Sequence, residues 1–77
     1  MRTDEEQRKL VSLLRMLRLE SHLTQINLAD RLGLPQSYVS KYESGQRRLD
    51  ILELRHLCRA LGIDFIDFTR RLDKTLR

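Results

Sequence analysis

The 77-residue chain reads as a single all-α domain, residues 1–77, built from five short helices. Three observations predict this. Leucine dominates the apolar set and β-branched residues are few, a composition that favours helix over strand. Apolar residues recur at intervals of three and four rather than alternating. Between these runs stand the residues that start and stop helices: Thr24, Asp50 and Asp64 as caps, Gly33, Gly45 and Gly62 as stops, and Pro35, the one proline. A chain this short buries only about 60–65% of its unfolded surface, so its core must be simple.

The first helix is expected from Asp4 to about Glu20. Thr3 can cap it, and Asp4, Glu5 and Glu6 put negative charge where the helix dipole favours it. Leu10, Leu14 and Leu17 form its core stripe, with Val11 beside them. Leu13 and Met16 widen that face, and two readings stay open: the last helix covers this second edge, or another subunit does. Thr24 starts a second helix, Gln25 to Leu32, whose apolar edge is Leu28, Ala29 and Leu32. Gly33 follows, where a helix end wants a residue that tolerates a left-handed backbone.

Pro35 suits the first turn of a third helix, because its missing N–H would be unpaired there anyway. That helix, Gln36 to Glu43, buries Val39 and Tyr42 and leaves Gln36, Ser37, Ser40 and Lys41 outside. Ala29 is small enough for the two helices to cross closely, so residues 24–44 read as a helix-turn-helix. Gly45 closes the third helix and leaves Arg47 and Arg48 on an exposed loop. Asp50 with Glu53 makes a capping box for a fourth helix, which should face Ile51, Leu54, Leu57, Cys58 and Leu61 inward and end at Gly62. Asp64 caps a last helix, 64–76, where Phe65, Phe68, Leu72 and Leu76 recur. This stripe should lean on the first and fourth helices. Its far end, Leu72 and Leu76, is expected to run out of cover in the monomer, and an uncovered apolar end invites a dimer.

Composition narrows the function. A net charge of +4 and a pI near 9.8, carried by fifteen basic residues, suit nucleic acid but are weak evidence alone. The single cysteine, Cys58, excludes an internal disulfide and offers no metal-ligand spacing. Neither a signal peptide nor a run of eighteen apolar residues is present, so a reducing cytoplasm is the expected compartment and no membrane partner is expected. His22 and His56 lie far apart, His22 in a turn, and no carboxylate pair or phosphate-cradling loop appears. An enzyme is not expected, nor is a cofactor, a metal or a small-molecule ligand.

Taken in register, Thr24-Gln25, Leu28-Ala29, Leu32-Gly33, then Gln36, Val39, Tyr42, Glu43 and Gly45, and later Ala60-Leu61-Gly62, form a specific pattern. Over roughly Leu10 to Phe68 the chain resembles the Cro/cI-type (XRE-like) helix-turn-helix family, the compact five-helix, lambda-repressor-like DNA-binding domain of phage repressors and bacterial regulators. The resemblance implies that residues 36–43 are a recognition helix lying in the DNA major groove. Carried over position by position, it implies that Gln36, Ser37 and Lys41 read bases, with Ser40 within reach. The chemistry agrees: Gln pairs bidentately with adenine, Lys meets the guanine edge, and Ser is a permissive donor and acceptor. Thr24 and Gln25, at a helix N-terminus, would meet backbone phosphate, and in the family Gln25 can also brace Gln36.

By the same resemblance Arg47 and Arg48 contact phosphate, with Arg15 a further candidate. Tyr38 is expected to be exposed, either meeting sugar or phosphate or shielding the core edge. Arg18 and Glu43 are implied to form a structural ion pair tying the first helix to the end of the recognition helix. Two positions depart from the family. Pro35 replaces the usual Ser or Thr cap, so Leu34 is expected to set the helix start instead, and apolar Ile26 stands where a polar residue is common. The implied function is a bacterial or phage-encoded transcriptional regulator. It would bind an inverted-repeat operator in double-stranded DNA as a homodimer, with Phe65, Leu72 and Leu76 dimerising, and act as a repressor or as the controller of a restriction-modification system. The alternative is an antitoxin-type interaction module that also binds its own promoter.

Overall fold

A computed structural model describes residues 4–77, which form five helices: α1 Asp4–Glu20, α2 Gln25–Leu32, α3 Gln36–Glu43, α4 Ile51–Leu61 and α5 Phe65–Leu76. Thr3, the expected cap of α1, lies outside the described residues. The other boundaries follow from local chemistry. Thr24 accepts the Asn27 N–H at 3.0 Å while Asn27 Oδ1 accepts the Thr24 N–H at 3.1 Å, closing a reciprocal box at the start of α2. Asp50 and Glu53 do the same for α4, at 2.8 and 3.0 Å. The Asp64 carboxylate caps α5 through the Asp67 N–H. Gly33 and Gly62 end α2 and α4 at φ of +70° and +74°, conformations that cost a residue bearing a Cβ about 1–2 kcal/mol.

One core joins all five helices. Leu13, Leu14 and Leu17 from α1 meet Leu28 and Ala29, Val39 and Tyr42, Leu57, Cys58 and Leu61, and Phe68. α2 crosses α3, α4 backs α2, and α5 closes the bundle against α1 and α4. Leu13 is 4% exposed, so the monomer itself covers the second edge of α1 and leaves only Met16 open, at 40%. Phe65 stacks on Phe68 with centroids 6.5 Å apart, and Leu72 packs against the core, so the C-terminal stripe keeps partial cover inside the monomer. Leu76 is half-buried, beside Leu10, Glu6 and Gln7.

One inward assignment fails. Ile51 is 65% exposed, because the first residue of α4 projects past the end of the core instead of under it. Leu49, the residue before the Asp50 cap, is buried in its place. Among the described residues no helix is long and apolar enough to cross a membrane.

Candidate nucleic-acid interface

α3 has only eight residues, too few to be stable alone, so packing sets its direction. Val39 and Tyr42 are fully buried on its inner side. Helical geometry then turns Gln36, Ser37, Ser40 and Lys41 together to the opposite side, where all four are exposed. They form a polar strip with one positive charge and no protein covering it.

The start of α3 differs from the expectation that Leu34 sets it. Pro35 itself occupies the cap position at φ −70°, ψ 155°, and its carbonyl accepts the Tyr38 N–H at 3.0 Å, without any side-chain cap. The proline ring already fixes φ at a value the extended cap conformation uses. The Leu34 N–H is meanwhile spent on the Ala29 carbonyl at 3.0 Å, finishing α2.

Beneath the strip lies a buried charge pair. Arg18 Nε donates to Glu43 Oε2 at 2.7 Å and Nη2 donates to Oε1 at 3.0 Å, a bidentate fork. A third donor, Nη1, reaches the Leu23 carbonyl at 2.8 Å. Both side chains are almost out of water, 8% and 4% exposed. The hydrogen bond to Glu43 raises the Arg18 pKa against the opposing effect of burial, so the guanidinium stays charged. Glu43 Oε1 also accepts from Gln25 Nε2 at 3.1 Å, and Gln25 Oε1 accepts from Gln36 Nε2 at 3.4 Å. A continuous path of polar contacts thus runs from the core to the first residue of the exposed strip.

The second anchor is Glu53, which the sequence marks only as a capping residue. One of its oxygens holds the Asp50 N–H, and the other accepts the Tyr38 hydroxyl at 2.9 Å and pairs with Arg47. Tyr38 is therefore half-buried rather than exposed, edge-on to Tyr42 with centroids 5.8 Å apart. The Arg47 guanidinium sits 4.9 Å over the Tyr38 ring, a cation–π contact that steadies it at the end of α3. Burial, helped by the bond to Glu53, pushes the Tyr38 hydroxyl up to about 12.

The remaining candidates are less tied. Arg48 is exposed and 3.9 Å from Asp4, and Arg15 is exposed on α1. Thr24 is exposed at the α2 N-terminus, where free N–H groups favour an anion. His22 is exposed with a φ of 59°, a strained left-handed conformation in the α1–α2 turn. Cys58 is buried and its thiol is pushed up to about 11 by that burial, which makes it a core residue and not a nucleophile. Among the described residues no three metal-ligating side chains converge.

Comparison with known proteins agrees with this geometry. A family model described as helix-turn-helix matches residues 14–68. An HTH-type transcriptional regulator of Sinorhizobium fredii, y4dJ, itself uncharacterised, is 37% identical over 71 residues, spanning 91% of this chain and 92% of that protein. An XRE-family-like protein from Pseudomonas syringae pv. tomato superposes with a TM-score of 0.88 at 38% identity, covering 96% of this chain and 90% of that one. A restriction-modification controller protein, solved as a tetramer in complex with its natural 35 base-pair operator, superposes at 0.86 with 27% identity, covering 96% and 97%.

Proposed function

We propose that this chain, which belongs to the helix-turn-helix family of XRE-type transcriptional regulators, reads a specific inverted-repeat operator in double-stranded DNA as a homodimer. The observation that carries the proposal is the uncovered polar strip of α3, held from below by buried residues on two sides. Gln36, Ser37, Ser40 and Lys41 meet base edges in the major groove. Thr24 and Gln25 at the α2 N-terminus, with Arg47 and Arg48 just past α3, clamp the flanking phosphates, and Arg15 adds a further contact. Tyr38 serves chiefly by holding Arg47 in place, since its hydroxyl already donates to Glu53.

The size of the domain is compatible with dyad symmetry. The domain is 32 Å in its longest dimension, so two copies about a two-fold axis can set their α3 helices about 34 Å apart, one turn of DNA. The dimer forms along α5, where Phe65, Leu72 and Leu76 keep part of their apolar surface open. The dimer then blocks or recruits polymerase according to where its site lies. The operator-bound controller neighbour favours a restriction-modification controller or a small repressor.

Sedimentation with and without a duplex chosen from a random pool tests this reading. Two protomers per symmetric duplex are expected. Monomer alone at high micromolar concentration, in both samples, overturns the dimer.

A further inference from the structure

Resting on that reading, we propose that Glu43 is a positioning residue that decides which base Gln36 selects, acting through the side-chain amide of Gln25. A carboxylate only accepts hydrogen bonds, whereas an amide has a donating end and an accepting end. The end of Gln25 that lies 3.1 Å from Glu43 Oε1 must therefore be its NH2 group. Its carbonyl is then turned towards Gln36, which answers with its own NH2 at 3.4 Å. This consumes one N–H of Gln36 and leaves the carbonyl oxygen and a second N–H facing outward. That is the acceptor-and-donor pair that matches the N6 amino group and N7 of adenine.

The opposite orientation has a different consequence. With Gln25 turned over, its NH2 would occupy the Gln36 carbonyl and leave only N–H donors outward. Two donors suit the O6 and N7 acceptors of guanine. The charge on Glu43 chooses between these states, and Glu43 cannot rotate away because Arg18 grips both of its oxygens. The path runs from buried Arg18 and Glu43 through half-buried Gln25 to exposed Gln36, so a choice fixed in the core is expressed at the surface.

The test is base preference by position, from random-duplex selection on the wild type, Gln36→Ala, Gln25→Met, and the double variant Arg18→Met with Glu43→Met. Thermal melting of each is recorded alongside. The wild type should prefer adenine at one position of each half-site, and Gln36→Ala should identify that position by losing it. Gln25→Met and the double variant should weaken the same preference about ten-fold, the discrimination one bidentate pair supplies, while preferences at the other positions persist. Glu43→Gln keeps the shape but lets either end of Gln25 face it, and it repeats the test if the apolar pair does not fold. An unchanged adenine preference in Gln25→Met or in the folded Glu43 variants overturns the proposal, as does a wild-type preference for guanine there. If the wild type yields no motif, base reading by α3 is what has failed; if Gln36→Ala leaves the motif intact, Gln36 reads no base and the proposal falls with it.

Discussion

Replacing Glu43 by alanine removes the carboxylate that takes two hydrogen bonds from Arg18 and one from Gln25. The guanidinium stays behind with its side chain 8% exposed, and arginine cannot relieve the strain by losing its proton. Breaking a buried pair from one side costs about 3–5 kcal/mol, because the remaining charge has lost both water and partner. A chain of this length has about 4–12 kcal/mol of stability in total. Small domains lose about 4–8 °C per kcal/mol, so Glu43→Ala should melt at least about 12 °C below the wild type. Changing both partners to methionine removes the stranded charge, and the main remaining loss is the Arg18 bond to the Leu23 carbonyl, about 1–3 kcal/mol. Thermal and urea unfolding followed by circular dichroism measures both variants. A Glu43→Ala protein that unfolds within about 0.5 kcal/mol of the wild type, the range of ordinary surface changes, while its DNA affinity collapses would refute the structural role.

Three further outcomes are expected. Burial raises the Tyr38 hydroxyl from 10.0 to about 12, so the folded state holds that proton longer than the unfolded chain. Its share of stability is intact below pH 10.0 and is lost as pH climbs towards about 12; Tyr38→Phe should remove this step from alkaline unfolding, and an unchanged step would contradict it. Gly33→Ala should destabilise by about 1–2 kcal/mol although no atom lies within 4 Å of the new Cβ, whereas His22→Gly should stabilise by relieving a φ of 59°; equal signs in a denaturation series would sink the backbone argument. Arg47→Ala should weaken binding to all duplexes alike and lower the slope of log affinity against log salt by about one, with stability changed by less than about 1 kcal/mol. An altered sequence motif in that variant would instead make Arg47 a base reader.

Most of the architecture was legible because its boundaries are set by single residues with local chemistry. Thr24, Asp50 and Asp64 cap helices and Gly33 and Gly62 end them whatever the tertiary context. Burial was harder at the ends of helices. Periodicity placed Ile51 in line with Leu54 and Cys58 but could not say where the core stops. Leu23, Leu49 and Ile63 lie in the connections outside the helical periodicity, yet each precedes a cap and belongs to the core or packs against it, with Leu28, Leu54 and Phe68 five positions on. That spacing is the hydrophobic staple, a signal present in the sequence. Tyr38 and Glu53 stand fifteen positions apart on different helices, so only the fold shows that the hydroxyl is spent on the carboxylate. The strip of Gln36, Ser37, Ser40 and Lys41 was readable because the buried Val39 and Tyr42 fix the opposite face of so short a helix.

Selection from a random duplex pool, run on the wild type and on Lys41→Ala, tests the central claim most directly. The account predicts a two-fold symmetric motif for the wild type that relaxes at particular positions in the variant and holds elsewhere. No motif, with weak binding governed by salt alone, would contradict it and turn the search towards a partner protein.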